Sequence, residues 1–327
     1  IYSKTYNETK QKLILKKSDT GKQFENLSNS TTLYNEILDS WLQSVRINVK
    51  ESTYARYSHL IDTHIRTHLG QYQITKISTQ LVEGFVNNQL NNGRLKDGSA
   101  LSSKTVIDIL TIVKSSMEYA KYNNLNVICN LSKLTVKKKD REMRVLNLSE
   151  QKALLNVLLH DMDLCKFGVI LSLYTGIRVG ELCALQWEDI SLSNSILKVT
   201  KTKIIITEPK SQCSIRDIPL PAFIVDIAKQ FADVPKAFIL SGEKKKYIEP
   251  RTMQNRFKAL VVESKIDDAN FHCLRHTFAT RCVEVGFEIK SLSEILGHAN
   301  VNITLNRYVH SSFDLKYSNM NKLSLPA

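Results

Sequence analysis

Between Phe271 and His310 the chain runs Phe-His-Cys-Leu-Arg-His-Thr-Phe-Ala-Thr, later Leu-Gly-His-Ala-Asn, and then Leu-Asn-Arg-Tyr-Val-His. Residues of these types could grip a phosphate and attack it. Guanidinium forks match phosphate oxygens, imidazoles move protons near neutral pH, and a phenol is a latent nucleophile. Further upstream, Tyr174-Thr-Gly-Ile-Arg178-Val-Gly-Glu181-Leu sets an arginine just after a glycine turn at the start of a helix. A helix N-terminus already favours anions, and an arginine there adds to it. Each motif has a plainer explanation beside it. Arg178 could be a surface arginine on an amphipathic helix, and Leu305, Tyr308 and Val309 one helix packed into a core. His272 and His276, four apart, would share a helix face as metal ligands do. A zinc-protease motif needs a glutamate directly after the first histidine, however, and Cys273 stands there. An arginine within the ligand set also opposes a cation, so no metal site is expected.

Composition bounds the partner. Apolar residues make up 43% and charged residues 24% of 327, as in ordinary soluble proteins, and the length suits two domains. The net charge of +13 favours a polyanion, because Lys and Arg that neutralise phosphates release condensed counterions. No basic amphipathic segment carries a Trp/Phe-rich face for a membrane surface, and the longest apolar run, Phe167–Tyr174, is too short to span a bilayer. There is no basic-then-apolar leader, and a chain that begins at Ile1 is expected to be a fragment or a processed product. The six cysteines lie far apart without a Cys-x-x-Cys pair, which fits a reduced, cytoplasmic compartment.

Something must position these groups. Residues 1–24 are polar and Lys-rich and form no core; a linker follows from Ser18 to Ser30. From Thr31 apolar residues recur at spacings of three and four: Leu33, Ile37, Leu38, Trp41, Leu42 and Val45, with Thr31 or Thr32 as N-cap. A second helix carries Tyr54, Tyr57, Ile61, Ile65 and Leu69 and stops at Gly70. A third opens at Ser78-Thr79 and ends at Asn91-Asn92-Gly93, and a fourth starts at Ser102. Four amphipathic helices with short joints make a small bundle. His59, His64 and His68 read as solvated side chains rather than a metal cluster, and Arg56, Arg66 and Lys104 as candidate phosphate contacts. Lys137, Lys138, Lys139 and Arg144 form a basic linker that could lie along phosphates.

The second domain opens at Leu146, with Ser149 as N-cap, and helices are expected at about 150–160, 162–174 and 178–187. Strands are expected at Ile196–Thr200, Ile204–Thr207 and Ile215–Ile218, and mostly helix from Pro221 onward. The fold class expected is thus an all-α four-helix domain followed by an α+β, mostly helical domain with a small three-stranded antiparallel sheet.

These pieces, in this order, resemble the signature of the tyrosine recombinase (phage integrase) family. The likeness covers about residues 145–315 as a catalytic domain, and the four-helix region resembles that family's core-binding domain. The family has an arginine in Thr-Gly-x-Arg-x-x-Glu-Leu, here Arg178 with Glu181, and a lysine in a β-hairpin turn. It also has His-x-x-Arg, Leu-Gly-His, and a tyrosine nine or ten residues later, here His272, Arg275, His298 and Tyr308. For the lysine, Lys198, Lys201 and Lys203 precede the turn and Lys210 sits in it, so Lys210 is chosen; Gln212 and Cys213 depart from the more usual Lys-Ser. The pattern is most similar to integrases of conjugative transposons and temperate phages of Gram-positive bacteria, and residues 2–13 to the end of their arm-DNA-binding domain. The division implied is 1–24 as a remnant of that domain, 25–136 as the core-binding domain, 137–145 as the linker and 146–327 as the catalytic domain with its C-terminal tail.

The resemblance implies a site-specific recombinase of double-stranded DNA working through a 3′-phosphotyrosine. Arg178 and Arg275 would hold the non-bridging oxygens, which makes a metal or other cofactor unnecessary. Ionising a phenol of reference pKa near 10 at pH 7 costs about 4 kcal/mol, so Tyr308 needs a base, and His272 is the candidate. Lys210 would protonate the leaving 5′ oxygen, His298 would bond the phosphate, and Glu181 would orient its neighbours. Two rounds of exchange through a Holliday junction imply a homotetramer on DNA, and a directionality (excisionase) factor is a possible partner. Two alternatives stay open: a type IB topoisomerase-like strand-transfer enzyme and a catalytically silent DNA-binding regulator.

Overall fold

The amphipathic spacing that begins near Thr31 becomes helix in the computed structural model, which describes residues 32–138, 143–200, 215–241 and 247–309. The chain divides into two compact units, Ile1–Arg141 and Glu142–Ala327.

The first unit contains α1 (Tyr34–Arg46), α2 (Glu51–Leu60), a π-helical turn (Ile61–Ile65), α3 (Arg66–Leu69), α4 (Thr79–Asn92) and α5 (Ser103–Tyr122). Helices α4 and α5 begin where the sequence says they should. Ser78 accepts from the Leu81 amide and Ser102 from the Thr105 amide, satisfying donors that the first turn leaves orphaned. The first helix instead starts after Leu33, one position beyond the expected Thr31 or Thr32 cap. Leu33 bridges to Gln73, and the Ile74 amide donates to Thr32 O at 3.0 Å, so cross-chain pairing holds this entry.

Tyr34, Ile37 and Leu38 of α1 are fully buried against Ile61, Ile65, Val106, Ile109 and Val113. Each large aliphatic side chain buried this way contributes about 1.5–3 kcal/mol. The Tyr34 hydroxyl meets Ser116 Oγ at 2.6 Å, which removes the cost of a buried polar tip. His64 corrects the expectation of three solvated histidines: it lies in the π turn and is buried, while His59 and His68 remain exposed.

The second unit is built around α7. Helix α6 (Leu148–Leu159) carries a capping box of Asn147 and Glu150, so Asn147 and not Ser149 is the cap. Helix α7 (Leu164–Thr175) is apolar nearly all round and buries Phe167 to Leu173. A short α8 (Val179–Leu182) follows and then a 3₁₀ turn (Trp187–Asp189), in place of the single helix expected to run to 187. The Trp187 and Glu188 amides donate to the carbonyls of Ala237 and Pro235 at 3.0 and 2.7 Å, so tertiary bonds replace helical ones there.

Strands β1 (Ile190–Ser191), β2 (Ile196–Val199) and β3 (Arg216–Pro219) form an antiparallel sheet in that order, with Leu197 opposite Ile218 and Val199 opposite Arg216. The expected strand Ile204–Thr207 lies outside the described residues, and β1 is an addition. Helices α9 (Ala222–Phe231), α10 (Pro250–Glu263), α11 (His272–Glu284), α12 (Ile289–Leu296) and α13 (Val301–Tyr308) complete the unit. No described helix is long and apolar enough to cross a membrane.

Candidate active site

Two helices of the second unit end in the same way, and their ends meet three arginines. Helix α7 closes on Gly176 at φ +65°, and α12 closes on Gly297 at φ +65°. Glycine adopts this left-handed conformation without a Cβ penalty. At Gly176 space matters too, since a Cβ would stand 2.5 Å from Phe278 Cδ1. The last carbonyls of a helix lack intrahelical donors and carry the negative end of its dipole, so they suit cations. Arg275, reaching up from α11, donates to Gly176 O at 2.8 Å and to Leu296 O at 2.7 Å. Arg178, the N-cap of α8, reaches Gly297 O at 3.3 Å, and Arg216 Nε reaches Ile295 O at 2.5 Å.

Glu181 sits among these guanidiniums at 1% exposure. Its carboxylate accepts from Arg178 Nη1 at 2.7 Å, from the Arg178 amide at 2.9 Å and from Arg216 Nη2 at 2.8 Å. Arg275, at 3% exposure, bonds carbonyl dipoles and no described carboxylate. Arg178 keeps 38% of its side chain open to solvent. Among the described residues, Arg275 thus carries its charge in a poorly hydrated place with no carboxylate bonded to it. Such a charge is costly unless an anion completes it.

The nucleophile candidate lies beside this cradle. Tyr308 ends α13, is 6% exposed, and packs with Ala279, Cys282, Leu292 and Leu296. Its hydroxyl is hydrogen-bonded to His276 Nδ1 at 2.8 Å. His276 lies one turn after His272 on α11, and the two rings meet edge to face with centroids 4.6 Å apart. The His298 ring is stacked parallel to Tyr308 at 6.5 Å, and its Nδ1 is 2.8 Å from Thr304 Oγ1.

The arginines set the protonation of everything near them. Burial, then the charges of Arg275, Arg178 and Arg307, lowers His272 to about 4, although the residue as a whole is exposed and water moderates that shift. Burial first, then His272, Arg307 and Arg275, lowers His276 to about 4. His298 falls to about 3 for like reasons. Burial raises the Tyr308 phenol, opposed in part by Arg275 and Arg307. Burial and Arg178 lower Arg275 to about 9, which still leaves it a cation at neutral pH. Burial pushes the Glu181 carboxyl up, but the hydrogen bond and charge of Arg216 more than reverse this, and it titrates below its usual range.

Arg178, Glu181, His272, Arg275, His298 and Tyr308 therefore share one locality. Lys210 and Lys139 lie outside the described residues. Of the other basic residues proposed for DNA, Arg56 is paired with Asp108, Arg66 with Asp39 and Asp62, and Arg144 with Glu150 and the Asp267 carbonyl. Lys104, Lys137 and Lys138 are exposed. Two members of the site escaped the sequence reading. Arg216 could have been found from strand parity, since it shares a face with the buried Ile218. His276 was considered only as a zinc ligand, and one turn of helix already placed it beside His272. Next to His272 a cavity of about 420 Å³ is lined by Arg251, Gln254 and Lys258 of α10 and by Asn270.

The sequence matches the Phage integrase family over residues 144–314 and the Phage integrase N-terminal SAM-like domain over residues 33–90. A tyrosine recombinase XerC-like protein of Caldanaerobacter subterraneus subsp. tengcongensis is 25% identical, over 95% of this chain and 88% of its own. Among solved structures, the Tn1549 transposon integrase in complex with a circular intermediate DNA is similar in fold, with TM-score 0.74 and 20% identity over 90% of this chain and 100% of that one. A lambda integrase tetramer bound to a Holliday junction is similar as well, with TM-score 0.67 and 18% identity over 84% of this chain and 80% of that one.

Proposed function

The chain belongs to the phage integrase family, the tyrosine recombinases, and on that premise we propose that Tyr308 cuts and rejoins double-stranded DNA inside the arginine cradle. One observation carries the assignment: Arg275, buried and bonded only to main-chain carbonyls among the described residues, converges on the same helix ends as the partly open Arg178 fork. A DNA phosphodiester supplies the missing anion. Its charge grows as the fifth oxygen approaches phosphorus, and donors already fixed by helix ends need no reorganisation at that moment. Arg178, the more exposed fork, and Arg275 hold the non-bridging oxygens. Glu181 aligns Arg178 and Arg216. His298, steadied by Thr304, and His272 complete the ring of donors around the phosphate.

Attack by the Tyr308 oxygen forms a 3′-phosphotyrosine and breaks the bond to the 5′ oxygen. Lys210 donates the proton that this oxygen takes, and a histidine of α11 receives the tyrosine proton. The ester keeps the bond energy, so a 5′-hydroxyl from a second duplex reverses the step without ATP. The likeness to a transposon integrase supports a mobile element as the DNA. Exchange through a Holliday junction calls for four protomers, and the lambda integrase tetramer on such a junction supports that state. A directionality factor and a cytoplasmic setting belong to the same reading.

Residues 25–136 would serve as core-binding domain, 137–145 as linker and 146–327 as catalytic domain, with 1–24 the remnant of an arm-binding domain. Lys104, Lys137, Lys138, Lys139, Arg56, Arg66 and Arg144 are the phosphate contacts of this reading, and of these Arg56, Arg66 and Arg144 have charges that acids already meet. Arg251, Gln254 and Lys258 line the cavity beside His272 and extend the basic path along the DNA.

A nicked suicide duplex carrying a core site, mapped first by covalent trapping on the circular element, tests the proposal. A covalent protein–DNA adduct should form and should vanish in Tyr308→Phe. Binding without any adduct would leave a silent regulator, and supercoil relaxation without junction intermediates would leave a topoisomerase-like enzyme.

A further inference from the structure

The hydroxyl of Tyr308 is buried and held by His276 Nδ1 at 2.8 Å. A polar side chain at that position of α11 could be mere packing. Two features argue otherwise. The His276 ring is fixed between His272 on one side and Tyr308 on the other, with centroids at 4.6 and 5.8 Å. And the atom it presents to the phenol is a ring nitrogen which, in the tautomer protonated on Nε2, accepts a proton, at the distance from which general bases work.

We propose that His276, rather than His272, takes the Tyr308 proton during strand cleavage and returns it during rejoining. The inference rests on Tyr308 being the nucleophile. As the Tyr308 oxygen bonds to phosphorus and the 5′ oxygen leaves, the phenolic proton passes to His276 Nδ1, giving an imidazolium protonated on both nitrogens. The departing 5′ oxygen receives its own proton from the general acid. In rejoining, the 5′-hydroxyl attacks phosphorus and gives its proton back to the group that supplied it, while the tyrosine oxygen leaves and takes its proton back from His276.

The charged groups around His276 suit both directions. On its own helix it faces His272 and Arg275, and from α13 Arg307 and Tyr308; burial first, then His272, Arg307 and Arg275, favours the neutral imidazole at neutral pH. A phosphodiester entering beside Arg275 offsets that positive field and raises the proton affinity of the imidazole when transfer occurs. His272, one turn nearer the open face, is left free to bond the phosphate.

The test uses the full chain and the mapped suicide duplex in single-turnover cleavage. His276→Asn keeps a hydrogen-bonding atom near the place of Nδ1 but cannot act as a base. It should slow cleavage about 10²–10⁴-fold at pH 7, with the loss shrinking as pH rises. Replacing Tyr308 by a difluorotyrosine, whose phenol is more acidic, should restore much of the rate in His276→Asn. It should restore little in His272→Asn. His276→Gln serves as the second variant if the asparagine chain does not fold. Wild-type cleavage by either variant, or a loss that neither high pH nor difluorotyrosine relieves, would overturn the assignment. An adduct persisting in Tyr308→Phe would instead overturn the nucleophile itself.

Discussion

Arginines of the helical unit and of the catalytic unit live under opposite conditions. Arg56 faces Asp108, and Arg66 faces Asp39 and Asp62, all at least partly exposed, so each charge is met by acid and water. Pairs of this kind contribute about 0–1 kcal/mol, because solvent screens the attraction and ordering long side chains costs entropy. Arg275 and Arg216 are buried and anchored on main-chain carbonyls; Arg216 shares the Glu181 carboxylate with Arg178, while Arg275 bonds no described carboxylate. The first set is balanced and local, the second unbalanced and preorganised. Balance, more than the number of cations, separates a solvated face from a site that needs an anion.

That contrast is open to direct attack. The largest effect should come from Arg275→Lys, which keeps the charge but loses the fork spanning Gly176 O and Leu296 O. Adduct formation should fall by about 10²–10³ in single-turnover assays, as when one preorganised donor is removed from a transition state. An unchanged rate would mean that the cradle only binds. Glu181→Gln comes next. It breaks the buried ion pair of Glu181 with Arg216, and thermal or urea unfolding should register a loss of about 3–5 kcal/mol.

A third measurement follows from the histidines. His272, His276 and His298 sit at about 4, 4 and 3 in the fold against 6.5 when unfolded. Below pH 6.5 the unfolded chain therefore binds more protons, so their contribution is complete above that pH and disappears as pH falls toward 3. Hydrogen exchange on the DNA-free protein should show α11 to α13 loosening between pH 6.5 and 4, and His298→Gln should flatten the trend. Equal loosening of α4 and α5 would blur the distinction between the units. The smallest effect belongs to Arg56→Ala: less than about 1 kcal/mol in stability and little change in the salt dependence of DNA binding. Lys104→Ala should lower that salt slope by about one, if Lys104 meets a phosphate.

The sequence was informative wherever one local rule governed. Ser78 and Ser102 announce their helices because short polar side chains satisfy orphaned amides, and the fourth helix could be followed from Val106 to Ala120 because its partner surfaces are continuous. Asn147 was legible too: the glutamate of a capping box stands three residues after its cap, which singles out Asn147 over Ser149. Other features depend on distant residues. No periodicity reveals β1, only two residues long, and nothing near Leu182 tells that the chain will turn to the carbonyls of Pro235 and Ala237. At the site, the family resemblance pointed to the candidate residues, but the anchors of Arg275 lie on Gly176 and Leu296, peptide groups whose side chains carry no trace of the task.

Those anchors bear on how the protein tolerates change. A carbonyl is supplied by every amino acid, so replacing Ile295 or Leu296 alters packing without deleting the acceptor that Arg216 or Arg275 uses. The demand falls instead on the residues that end the helices, where the left-handed turns at Gly176 and Gly297 keep those oxygens aimed inward. The arginine cradle is therefore robust to mutation along most of α7 and α12 and brittle at two glycines.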